Sequence, residues 1–153
     1  MGMPKDQLLI GSKELPYHLS VGLVAVHDGK IAVIKRNMVG KGEIYLLPKE
    51  TVSVDETFRE AALRGLKEEI GGVGKLISFL GSRSYQFMRG ETQIHKTVIY
   101  FLVKIDSIGE RAPEESEKDD EIIWADFAKA KELLSNTDTH GAFGWEAEIL
   151  DRV

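Results

Sequence analysis

Residues 50–72, ETVSVDETFREAALRGLKEEIGG, constrain the fold more than any other stretch of the chain. Phe58, Ala61, Ala62, Leu66 and Ile70 recur at the spacing of one helical face, so the segment predicts an amphipathic helix laid on a core. Its start is marked twice. Thr57 and Glu60 make a T-x-x-E capping box, and Asp55 and Glu56 stand where a helix N-terminus favours negative charge. Gly71 and Gly72 end it. At about 100° per residue, Glu68 and Glu69 project side by side at the edge of the apolar stripe. Carboxylates packed against a core are costly unless something compensates them. A hard divalent cation such as Mg²⁺, which takes carboxylate oxygens, would do so. A Lys-Glu-Glu run taken alone is also what an ordinary solvated helix face carries.

The flanking sequence predicts strands on both sides of this helix. Residues 1–17, with Pro4 and Pro16, form an irregular lead-in. Residues 19–27 are apolar and β-branched and run into Asp28-Gly29, a two-residue hairpin signal, with residues 30–35 as the returning strand. Residues 36–43 are a Gly-bearing loop with Arg36 and Lys41, either a plain turn or a flap over phosphate. Residues 44–47 make a short strand that Pro48 stops. After the helix come a strand at 75–87 with a kink at Gly81, a turn at 88–91, and the longest strand pattern at 92–105. Residues 106–120 read as an acidic, solvated loop and 121–125 as a strand. Asp126 caps a helix over 127–134, and a polar connection at 135–141 leads to a terminal helix near 145–150. Strands around one long helix, then a second helix, predict a mixed-sheet α/β (α+β) arrangement in a single domain, residues 1–153.

Composition narrows the function classes. The 153 residues are 42% hydrophobic and 29% charged, ordinary for a globular protein. There is no cysteine, which excludes thiol chemistry and suits a reducing compartment. No apolar run approaches the ~20 residues of a membrane span, and the first residues lack the apolar core of a signal peptide. The expectation is a cytoplasmic protein. A net charge of −5 argues against a nucleic-acid polymer as the main partner. It leaves open a small phosphorylated ligand, because a bound cation and a few Lys or Arg can reverse the sign locally.

The spacing within 50–72 resembles the Nudix box, G-x5-E-x7-R-E-U-x-E-E-x-G-U, where U is aliphatic. Glu56, Arg64, Leu66, Glu68, Glu69 and Gly71 fall on its defined positions, and Leu47-Pro48-Lys49 is similar to the run that leads into it. The resemblance implies a curved mixed sheet between helices, with the box as loop-helix-loop. It also implies hydrolysis of phosphoanhydride bonds in nucleoside diphosphate-linked compounds with Mg²⁺ or Mn²⁺. Three positions depart from the pattern: Glu50 stands at the opening Gly, Gly65 at the glutamate after the Arg, and Gly72 at the closing aliphatic residue. The lost glutamate is normally a metal ligand or base, so the resemblance also admits a catalytically impaired module that binds a nucleotide or a protein.

By position in the box, Glu68 and Glu69 are the implied metal ligands, Glu56 supports the loop, and Arg64 pairs with a box carboxylate or meets substrate. Lys49 is a candidate phosphate contact. Family members usually add an acidic ligand just before a strand tryptophan. Counting back from Trp124 reaches Lys118, flanked by Glu117 and Asp119, and either carboxylate could serve. Residues 95–102, HKTVIYFL, resemble a strand of the diadenosine tetraphosphate hydrolases, which implies Lys96 near phosphate and Tyr100 near the nucleotide. His95 reads as an ordinary strand histidine rather than a base. A mid-helix glycine costs about 1 kcal/mol relative to alanine, so Gly65 was not selected for helix stability. Its missing side chain leaves room on the helix face. Glu50 is expected either to reach into that room and replace the lost carboxylate, or to point to solvent.

Overall fold

The computed structural model describes residues 16–38, 42–113, 117–135 and 144–153. The lead-in expected before residue 16, the centre of the basic loop and most of the connection before the terminal helix lie outside the described residues. The strands are β1 (Tyr17–His27), β2 (Lys30–Met38), β3 (Gly42–Leu46), β4 (Lys49–Thr51), β5 (Gly72–Arg89), β6 (Thr92–Ile108) and β7 (Glu121–Ala125). They form one sheet in the order β3-β2-β1-β6-β5, with β4 paired to β1 and β7 to β2. β1 and β6 are parallel, in register from Tyr17 opposite His95 to Val26 opposite Lys104, and the other pairings are antiparallel.

The local signals that predicted these elements are visible in the backbone. Asp28 (φ 50°) and Gly29 (φ 74°) take the left-handed values of a tight hairpin turn. β5 shifts register against β6 between Phe79 and Gly81, the predicted kink. Several boundaries differ from the expectation: β1 begins at Tyr17, β5 runs from Gly72 to Arg89, and β6 continues to Ile108, into the expected acidic loop. β2 and β3 extend into the basic loop, to Met38 and from Gly42, so Arg36 is a strand residue. The chain also resumes pairing after Pro48 as the three-residue β4, too short for an alternating pattern to reveal.

Helix α1 (Phe58–Gly65) has both halves of the capping box and continues as a π-helical turn, Leu66–Ile70, that ends on Gly71 in the left-handed conformation. α2 spans Phe127–Ser135 and α3 Glu146–Leu150. The Lys129 amide donates to Asp126 Oδ1 at 2.8 Å, as the predicted cap requires. Alternation divides the sheet's side chains between two cores. Val21, Leu23, Phe101 and Val103 pack against Ala61, Ala62 and Leu66 of the first helix. Val24, Val98 and Tyr100 pack against Leu134, Ala147 and Leu150 on the opposite face. The result is a mixed sheet held between helices.

Candidate active site

The site is built where β4 meets the first helix. β4 lies antiparallel to β1, with Glu50 opposite Val21 and Lys49 opposite Gly22. Val21 belongs to the α1 face, so Glu50 is carried under the helix while its neighbour Lys49 goes to the other side. Arg64, one turn from the helix end, ties the segment together. Its Nε and Nη2 donate to the two carboxylate oxygens of Glu56, each at 2.8 Å. Nη2 also meets the Thr51 carbonyl at 2.8 Å, and Nη1 lies 2.8 Å from Glu50 Oε1 and 3.5 Å from Glu68 Oε2. Glu56 in turn accepts from the Ser53 amide at 2.9 Å. The Arg64 guanidinium holds the Glu56 carboxyl below its ordinary range. Glu56 therefore supports the loop, as expected. Arg64 is committed to carboxylates and backbone rather than turned toward a substrate, a correction to the reading of it as a substrate contact.

Gly65 leaves the space foreseen in the sequence, and Glu50 fills it. A methyl group on Gly65 would stand 2.8 Å from the Glu50 Cβ and 3.5 Å from its Oε2. Glu50 is 6% exposed. It is buried under the helix, not pointed to solvent.

Both box glutamates lie on the π-turn and differ in burial. Glu68 is half-buried beside Arg64, while Glu69 is 4% exposed and its Oε2 has no hydrogen-bond partner among the described residues. Burial first, then the neighbouring carboxylates of Glu117 and Glu50, push the Glu69 carboxyl well above its ordinary range. Widening a helix by one residue per turn rotates the side chains that follow, and such turns gather at functional sites.

The downstream loop supplies the far wall. Glu117 faces Glu69 and lies 3.8 Å from Arg36 Nη2, whereas Asp119 is exposed. Of the two candidates flanking Lys118, Glu117 is the half-buried one, beside Arg36. Asp120, which the sequence reading passed over, is buried and takes a forked pair of hydrogen bonds from Arg36, Nε to Oδ1 at 3.0 Å and Nη2 to Oδ2 at 2.8 Å. Arg111 was also missed. Its Nε donates to the Glu69 carbonyl at 2.7 Å and its Nη1 to the Asp120 carbonyl at 3.0 Å, binding the loop to the helix end. A lone arginine within an otherwise acidic loop was the available signal.

The other predicted contacts go elsewhere. Lys49 is nearly buried and pairs with Glu146 Oε2 at 2.7 Å, its Nζ also meeting the Leu47 carbonyl at 3.0 Å. Burial lowers its pKa, against the pull of Glu146. Tyr100 is fully buried and its hydroxyl donates to the same Glu146 oxygen at 2.5 Å. Neither side chain offers a surface to a nucleotide. Lys96 lies on the sheet face of Val98 and Tyr100, opposite Tyr85 and His18 in register, and so away from the box helix. His95 stacks on Tyr17 at 5.4 Å, as a strand histidine does.

Among the described residues no three Asp, Glu or His side chains enclose a single point tightly enough to hold a cation as they stand. The chemistry of the donors nevertheless fits a hard cation. All are carboxylate oxygens, and one of them is buried without a partner.

A mixed sheet between helices, with a carboxylate-lined loop-helix-loop packed on one face, defines the class of protein. The NUDIX domain family model matches residues 16–144, and the chain belongs to the Nudix, MutT-like family. It is similar to Nudix hydrolase 21, chloroplastic, of Arabidopsis thaliana, 34% identical over 123 residues that make up 80% of this chain and 57% of that protein. RNA pyrophosphohydrolase of Orientia tsutsugamushi (strain Boryong) is 28% identical over 92 residues, 60% of this chain and 56% of that one. The chain spans about half the length of the curated relatives it matches. In fold it is similar to the crystal structure of ADP compounds hydrolase, with a TM-score of 0.67 at 20% identity over 88% of this chain and 71% of that one. Among the described residues no helix is long and apolar enough to cross a membrane.

Proposed function

We propose that this protein is a divalent-metal-dependent pyrophosphohydrolase acting on nucleoside diphosphate-linked compounds, dinucleoside polyphosphates among them. The observation that carries the reading is Glu69: a buried carboxylate with one oxygen lacking a partner among the described residues, in a neighbourhood it shares with Glu50 and Glu117. Such an arrangement costs free energy in the empty protein and is relieved by a cation. Glu69, Glu117 and Glu68 would hold it, and Mg²⁺ or Mn²⁺ suits an all-oxygen set. When bound, the metal would screen the phosphate oxygens and acidify a water. Arg36, 31% exposed beside Glu117, turns an edge of positive charge to the same space, where it would meet a phosphate oxygen. In the reaction the water oxygen bonds to phosphorus as the bridging P–O bond breaks. A deprotonated glutamate takes the water's proton, and two phosphorylated products leave. The resemblance of residues 95–102 to a strand of the diadenosine tetraphosphate hydrolases is the sequence feature that favours this substrate class.

Gly65 in place of the family's glutamate favours a second reading, a module that binds the nucleotide without turning it over. Diadenosine tetraphosphate and ADP-ribose incubated with the protein and Mg²⁺, beside calorimetric binding of the same ligands, separate the two. Mg²⁺-dependent release of phosphorylated products supports the hydrolase. Binding without products overturns it in favour of the module.

A further inference from the structure

We propose that Glu50 and Gly65 are a reciprocal exchange, in which the carboxylate absent from the helix is delivered from β4 and Glu50 serves as an acidic ligand of the cation site. The inference rests on the metal-dependent reading above and assigns it a residue that the box pattern does not.

The two positions compete for one volume. With 2.8 Å between the Glu50 Cβ and a methyl group on Gly65, the two positions cannot both carry side chains in this backbone. Contacts that short between real Cβ atoms are essentially never seen. The family pattern, Gly on the strand and Glu on the helix, and the pattern of this chain, Glu on the strand and Gly on the helix, are thus the two ways to fill one space with one carboxylate. Two departures that look independent in sequence become one compensated change.

Glu50 delivers its carboxylate from the strand side to the volume Gly65 vacates, buried at 6% exposure. Arg64 Nη1 holds Glu50 Oε1 at 2.8 Å and so fixes the carboxylate at the helix face. One helical turn beyond Gly65, the buried Glu69 Oε2 has no hydrogen-bond partner among the described residues, an independent sign of room for a ligand on this stretch of helix.

The test joins a stability cycle with a metal titration. Without metal, Gly65→Ala should lower Tm in the parent but raise it or leave it unchanged in a Glu50→Gly background, because alanine is the better helix former once the strand side chain is gone. Mn²⁺ binding, followed by electron paramagnetic resonance, should weaken about 10–100-fold in Glu50→Gln. It should recover in the double variant Glu50→Gly/Gly65→Glu, which restores the family arrangement. Gly65→Ala behaving alike in both backgrounds overturns the exchange. Parent Mn²⁺ affinity in Glu50→Gln, together with its loss in Glu69→Gln, overturns the role of Glu50 and leaves the hydrolase reading intact. A parent that binds no Mn²⁺ overturns both.

Discussion

Two buried glutamates, one on each side of the sheet, make the instructive contrast. Glu146, 0% exposed on the short α3, has both oxygens met. Oε1 accepts from the Leu47 amide at 2.9 Å, and Oε2 receives the Tyr100 hydroxyl and the Lys49 ammonium. Glu69, 4% exposed on the π-turn, faces two further carboxylates and keeps one oxygen without a partner. β4 links them by sending Lys49 to the first and Glu50 to the second. A missing Cβ makes room at each: Tyr100 packs where a side chain on Gly22 would stand, as Glu50 does at Gly65. A charge that is fully answered inside the protein holds the fold. One surrounded by its own kind is, in the proposed reading, the place left for a cation.

The contrast predicts opposite responses to the same chemical change. The largest stability loss should follow Glu146→Gln, which strands the Lys49 charge in the interior. Breaking a buried pair in this way costs about 3–5 kcal/mol, and urea unfolding measures it. A loss below about 1 kcal/mol would mean that the Glu146 centre is no structural clamp.

Tyr100→Phe keeps the ring against Gly22 and removes only the donor to Glu146. It should cost about 2 kcal/mol, the range for a hydrogen bond to a charged group. KM for a nucleotide should not change. A rise in KM at unchanged stability would return Tyr100 to the ligand-binding role that the strand resemblance implied.

Glu56→Gln weakens the Arg64 clamp at the more exposed end of the segment and should cost about 1 kcal/mol at neutral pH. Arg64 depresses the Glu56 pKa in the folded protein, so this contribution is present above its ordinary value of 4.5 and is lost as pH falls through the lower folded value. Parent and variant should therefore converge in stability on the acid side. A gap that persists unchanged at low pH would contradict the ion pair as its source.

Sequence and structure agree best where the determinants are local. The helix at 58–70, its cap at Thr57 and its stop at Gly71 rest on neighbours within one turn, and all three are as read. The room beside Gly65 was also legible, because losing one side chain while gaining another nearby is a statement about volume. Tyr100 misled because alternation assigns a residue to a sheet face without saying what covers that face, and here α3 covers it. Glu146 itself was invisible: a glutamate on a five-residue helix has the pattern of a solvated residue. Arg111, Asp120 and Arg36 owe their places to contacts between segments far apart in the chain, which composition of an acidic loop does not encode. The π-turn escaped because the apolar spacing fits an ordinary α-helix equally well.

The smallest expected stability change is the most telling. Glu69→Gln removes a repelled charge at nearly constant volume, so unfolding without metal should shift by no more than about 0.5 kcal/mol, or toward greater stability. The direct test is a calorimetric Mg²⁺ titration of the parent and Glu69→Gln beside that unfolding measurement. The account predicts that the parent binds Mg²⁺ and that the variant, folded as well as the parent, binds at least about tenfold more weakly. Equal Mg²⁺ affinity in the two proteins, or a loss of stability like that of Glu146→Gln, would contradict it.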